Sequence, residues 1–199
     1  MEELRNFSGR PSMLVVRPAD AVETSVAWKM AMENTHTPTV LILSRQDIKE
    51  LPSPSGNRYK DALGAERGGY VVETLGTPQV TLIANGSEVS LLCDVAAMLE
   101  AEGIGSKVVS VPSIGVFMTQ DEAYLQEVIS PTLPAFGLTA GLPSTLHAVM
   151  PAGSYTFGLS RFGASAPYKE LDRQFGFTPE NILNEVKRYL GVASPLADR

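Results

Sequence analysis

Continuous apolar runs alternating with helical stretches constrain this chain more than any other feature. Met13-Leu14-Val15-Val16 is one such run, ending at Arg17-Pro18. Thr39-Val40-Leu41-Ile42-Leu43 is another, too continuously apolar for a strand with one face in water. Between them Asp20 and Glu23 stand at capping-box spacing. The helix they begin has Val22, Val26 and Met30 on one side, with Ala27 and Ala31 less regularly beside them, and it stops before the turn-forming Asn34-Thr35-His36-Thr37-Pro38. A strand, a helix and a second strand in that order imply parallel pairing.

Beyond Gln46 the pattern dissolves into Pro52-Ser53-Pro54-Ser55-Gly56 and Gly68-Gly69 with charges between, which reads as a linker between compact units and places a boundary near residue 70. Alternation then resumes. Val80 to Ala84 reads as a strand, Ser87 to Glu102 as a helix, Lys107 to Val111 as a strand and Asp121 to Ile129 as a helix. Phe136 to Thr139 and Tyr155 to Leu159 follow as strands, with a helix near Ser144 to Met150 and helices from Pro167 and Pro179. No internal repeat is evident. The first strand-helix-strand, of about 45 residues, is too small for a parallel sheet covered on both faces. With a helix expected before Met13, it reads as the end of a domain that begins upstream.

Composition excludes several classes of function. The 199 residues, 44% of them hydrophobic, can bury a core. A net charge of −6 without a basic run offers no face to a nucleic-acid backbone. Cys93 is the only cysteine, so an intramolecular disulfide or a thiolate metal site is out of reach, and a reducing compartment, the cytoplasm, is the default expectation. Met1-Glu2-Glu3-Leu4-Arg5 is unlike a secretory signal, and no stretch approaches the roughly 20 apolar residues of a membrane span.

Several motifs together resemble one family. Arg17-Pro18-Ala19-Asp20 with Glu23 and Trp28, then Thr37-Pro38-Thr39 and Leu41-Ile42-Leu43-Ser44-Arg45-Gln46, resembles the end of the pyrimidine-binding domain of transketolases. Gly68-Gly69-Tyr70-Val71, Ile83 to Val89, Val108 to Ser113, Phe162 to Pro167 and Phe175-Gly176-Phe177-Thr178 resemble the family's third, carboxy-terminal domain. The resemblance implies an α/β fold, a three-layer αβα domain with a mostly parallel sheet over residues 70–199. Residues 1–69 precede it as a partial α/β unit and linker. It further implies transfer of a two-carbon ketol unit between sugar phosphates in the pentose phosphate pathway, with thiamine diphosphate and a divalent cation at a homodimer interface. The family's cofactor-binding and activating residues fall before Met1, so the chain alone is expected to be inactive and without cofactor, its third domain structural.

One family site residue maps here: Arg45 resembles the arginine that holds the sugar's terminal phosphate. A guanidinium presents a fixed fork of donors to phosphate oxygens, and the end of a parallel strand is where α/β sheets present ligand groups. A surface arginine paired with Asp47 or Glu50 is the plainer reading of the residues alone. Where the family commonly carries an acidic residue in Val-Glu-Ala-Gly, this chain has Leu138-Thr139-Ala140-Gly141, a departure that touches local packing or dimer contacts rather than the reaction.

Other candidates carry less. Asn85, Gly86 and Ser87 join a strand to a helix, where backbone amides could hold a small anionic regulator, but they lack a dinucleotide fingerprint, and Ser87 as a simple helix cap explains them. Gly163-Ala164-Ser165-Ala166-Pro167 only half resembles a nucleophile elbow. His147, Ser165 and Asp172 occur in the wrong order for an α/β-hydrolase triad. His36 and His147 are too few and too separate for zinc and read as turn or core residues. Trp28 reads as packed against the core.

Overall fold

A computed structural model of the protein describes residues 13–192. The helix expected before Met13 lies outside them. β1 (Leu14–Val16), α1 (Ala21–Glu33) and β2 (Thr39–Leu41) form the first unit, with β1 and β2 parallel in the register Leu14–Thr39, Val15–Val40 and Val16–Leu41. Asp20 caps α1 as its position suggests: Oδ1 accepts the Glu23 N–H at 2.7 Å. The return bond of the box differs, since Glu23 Oε2 accepts the N–H of Ala19, at 2.8 Å, rather than that of Asp20.

The stretch that reads as a linker is more ordered than its composition suggests. It carries α2 (Arg58–Ala62) and a 3-10 turn (Leu63–Arg67), and it buries Leu51, Ala62 and Ala65. Alternating small and charged residues hide these segments because they are too short for a helical period to show.

The second sheet has five strands in the order β3-β5-β4-β6-β7. These are β3 (Tyr70–Leu75), β4 (Pro78–Ala84), β5 (Gly105–Ser110), β6 (Ala135–Leu138) and β7 (Tyr155–Phe157). β3 runs antiparallel to β5, and every other pairing is parallel. β3 and β4 flank β5, so their connection passes over its start. There a Cβ on Gly105 would stand 2.1 Å from the Thr77 carbonyl oxygen, and only glycine fits.

Helices cover both faces, giving the α/β architecture. α3 (Glu88–Ala101) and α7 (Pro179–Tyr189) pack Leu92, Val95, Leu99, Ile182 and Val186 on Val80, Leu82, Val108 and Phe136. On the other face α4 (Ile114–Phe117), α5 (Glu122–Val128) and a 3-10 helix (Pro143–Val149) set Phe117, Val128 and Leu146 against Ile83 and Val109. The 3-10 helix stands where a helix was expected near Ser144. α6 (Tyr168–Phe175) buries no residue. The core of the first face also takes in Ala19 and Val26 of the first unit.

Trp28 departs from expectation. It is 55% exposed, one position past the buried Ala27 and so turned about 100° off the packed face of α1. Thr139, in the segment that departs from the family pattern, is buried, and its hydroxyl oxygen accepts the Gly141 N–H at 3.1 Å.

Candidate functional site

β2 ends at Leu41, and the chain then runs over the surface to Leu51, with a bend at Arg45 and Gln46. Arg45 is exposed, and among the described residues it makes no ion pair, with Asp47, Glu50 or any other carboxylate. Its neighbours Ser44 and Gln46 line a cavity of about 540 Å³ between this loop, the start of α3 and α6; Arg45 itself is not part of the wall. Among the described residues the guanidinium at the carboxyl end of a parallel pair is therefore unengaged and accessible, the condition a phosphate contact requires.

The deeper cation of this cavity is Arg17, which reads in the sequence as the residue that closes β1 and opens the Arg17-Pro18-Ala19-Asp20 motif, without a site role. Its Nη1 donates to the Asn85 carbonyl at 3.0 Å, to Asn85 Oδ1 at 2.7 Å and to Glu88 Oε2 at 2.5 Å. The Gly86 N–H donates back to the Arg17 carbonyl at 3.0 Å. Gly86 has φ +63°, and a Cβ there would lie 2.7 Å from Arg17 Nε, so glycine is required both by the backbone and by the guanidinium.

Asn85, Gly86 and Ser87 thus act mainly as the seat of an arginine of the same chain. Both Asn85 oxygens accept, and the Gly86 amide is spent on Arg17. Ser87 stands at the N-cap position of α3 without bonding the helix amides; its hydroxyl donates to Glu88 Oε1 at 2.8 Å. That corrects the simple-cap reading: Glu88, placed in the first turn, competes for the hydroxyl and supplies the negative charge that the helix start favours. Asp172 of α6 faces the same cavity, and burial, then the Glu88 charge, raises its carboxyl above the ordinary range.

The groups of a hydrolase do not converge. His147 and Ser165 are exposed, and no hydrogen bond among the described residues joins either to Asp172. His36 is exposed in its turn. The described residues contain no cluster of His, Cys, Asp or Glu able to hold a metal ion, and no helix long and apolar enough to cross a membrane. Cys93 is buried, and burial, then Glu73, pushes its thiol up, which leaves little thiolate for chemistry.

A second polar cluster was not legible in the sequence. Asp20, Glu23, Arg58 and Tyr70 are all buried. Arg58 Nε donates to Asp20 Oδ2 and Arg58 Nη2 to the Tyr70 hydroxyl, each at 2.7 Å, and Tyr70 in turn donates to Glu23 Oε1 at 2.7 Å. Burial raises the Glu23 carboxyl and the Tyr70 phenol above their ordinary values. The motif Arg17-Pro18-Ala19-Asp20 with Glu23 held half of this cluster, and Gly68-Gly69-Tyr70-Val71 held Tyr70. Arg58, inside the apparent linker, gave no signal.

Comparison with known proteins identifies relatives along the whole described chain. The family described as "Transketolase, pyrimidine binding domain" matches residues 1–50, and "Transketolase-like TK C-terminal domain" matches residues 68–178. "Transketolase 2" of Aliivibrio fischeri is 38% identical over 192 residues, covering 96% of this chain and 28% of that protein. The chain therefore spans under a third of the curated relatives it matches. Among solved structures, "Transketolase from Leishmania mexicana" superposes with a TM-score of 0.80 at 34% identity, covering 98% of this chain and 28% of the other. "Split gene transketolase, inactive beta4 tetramer" superposes with a TM-score of 0.71 at 26% identity, covering 97% of this chain and 63% of the other.

Proposed function

The chain belongs to the transketolase family, and on that premise we propose that it works as the carboxy-terminal portion of a transferase. That enzyme moves a two-carbon ketol unit between sugar phosphates, in the cytoplasm and within the pentose phosphate pathway. Residues 1–69 are the end of the pyrimidine-binding domain with its linker, and residues 70–199 are the carboxy-terminal domain. The complete enzyme is a homodimer that uses thiamine diphosphate and a divalent cation. The described residues offer no set of donors that fits the cation, so no step of the cofactor's chemistry is assigned to them. Alone, the chain is inactive and its role is structural, in packing and dimerisation. The name of the split-gene relative, an inactive tetramer, supports that part of the reading.

Arg45 carries the proposal where this chain meets substrate. Its guanidinium is exposed at the carboxyl end of β1–β2 and unpaired among the described residues, which supports a role in gripping the sugar's terminal phosphate. In the complete enzyme, Arg45→Ala should raise KM for phosphorylated donors far more than for unphosphorylated ones; equal effects on both would remove the assignment. The chain alone should show no ketol transfer with thiamine diphosphate and magnesium, and should gain it when a chain carrying the cofactor-binding domain and the rest of the pyrimidine-binding domain is added. Turnover by the chain alone would end that part of the proposal.

A further inference from the structure

The buried cluster at the start of α1 bears on the loop that carries Arg45. Asp20 Oδ1 is occupied as the helix cap, while Oδ2 accepts two further bonds, from Arg58 Nε at 2.7 Å and from the backbone N–H of Leu51 at 3.0 Å. Leu51 is buried, and no residue from Ile42 to Glu50 is. The surface loop is thus fastened where Ile42 N–H donates to the Val16 carbonyl, at 2.9 Å, and again where Leu51 meets Asp20. Between these points Lys49 pairs with Asp94 at 2.7 Å, but both side chains are substantially exposed and such pairs hold little. Asp20 is fully buried, so its grip on Leu51 depends on a compensating cation, and Arg58 supplies it.

We propose that Arg58 is a positioning residue for Arg45: it holds the Asp20 carboxylate against Leu51 and so sets the path of the loop between Ile42 and Leu51. The proposal rests on the reading of Arg45 as a phosphate contact. A bent loop with two anchors keeps its middle in place only while both hold, and releasing Leu51 leaves Arg45 on a longer, looser span. The loss falls on the precision with which a guanidinium meets phosphate oxygens.

Amide hydrogen exchange on the full chain tests the anchor directly, with the Leu51 amide measured against that of Leu82 in the core of β4. Arg58→Met should speed Leu51 relative to Leu82 by about tenfold or more through local opening. Tyr70→Phe is the control, because it removes a hydroxyl bonded to Arg58 and Glu23 but not to Asp20; it should leave the ratio unchanged even where it lowers overall stability. Arg58→Lys, which keeps the charge, should fall between and serves if Arg58→Met does not fold. In the complete enzyme, Arg58→Met should raise KM for phosphorylated donors severalfold, with kcat and the unphosphorylated donors little changed. An unmoved Leu51 ratio overturns the proposal. A raised ratio without any KM effect, where Arg45→Ala has one, overturns the link from loop to phosphate while the phosphate reading stands. Equal effects of Arg45→Ala on both donors overturn the phosphate reading and this proposal with it.

Discussion

Gly86 is held to glycine by two independent demands, a left-handed φ and the guanidinium lying where a Cβ would go. Gly86→Ala should therefore cost about 1–3 kcal/mol of stability, more than a surface loop substitution, because both the strain and the displaced Arg17 count against it. Urea unfolding measures this, and a loss within ±0.5 kcal/mol, as for ordinary surface changes, would refute it. Glu23 gives a pH-dependent counterpart. Burial raises its carboxyl despite the bonds from Tyr70 and Ala19. Above the ordinary carboxylate pKa of about 4.3 the folded state then binds more proton than the unfolded chain, so Glu23 favours folding below that value and progressively less as pH rises through its raised pKa. The stability of the wild type relative to Glu23→Gln should decline from about pH 4.3 upward. An advantage that grows over that window would reverse the assignment.

At the level of elements, α6 and α7 look alike in sequence, each opened by a proline and amphipathic, yet they differ in what they bury. α7 sets Ile182, Leu183 and Val186 into the core against α3, and Thr178 Oγ1 caps it by accepting the Asn181 N–H. α6 buries nothing. Ile182→Ala should cost about 2–4 kcal/mol by leaving a cavity, whereas Leu171→Ala should cost well under half of that. Similar losses in urea unfolding would show that α6 is part of the core. The same contrast explains what was legible. β4 and β5 read directly because their runs are apolar on both faces, as central parallel strands demand. β3 did not, since Tyr70 and Val72 follow the glycines that suggested a linker, the charged Glu73 and exposed Thr74 interrupt the apolar run, and an edge strand needs only one apolar face. The loop bearing Arg45 was legible as a position through motif order. Its fastening was not, because Asp20, Leu51 and Arg58 lie far apart in sequence and meet only through tertiary packing.

Across the whole molecule, the two sheets share one interior. The apolar cluster that contains Leu82, Leu92 and Ile182 also holds Ala19, Val26, Leu51 and Ala62. The Asp20–Glu23–Arg58–Tyr70 cluster ties α1, α2 and β3 through charge-assisted bonds that must break if either part opens alone. The proposed boundary near residue 70 therefore separates sheets without separating their cores, and the chain should unfold as one unit. Trp28 is the only tryptophan and sits in the first unit, whereas most helical signal comes from α3 and α7 in the second. Trp28 fluorescence and far-ultraviolet circular dichroism should thus follow the same urea transition, with one midpoint and one slope. A fluorescence change that precedes the loss of helix would show that β1, α1 and β2 open first, and it would locate the weak seam at the buried ion cluster. Arg58→Met, which leaves Asp20 uncompensated there, should separate the two transitions if the cluster supplies the coupling; a mutant whose transitions still coincide would assign the coupling to the apolar cluster instead.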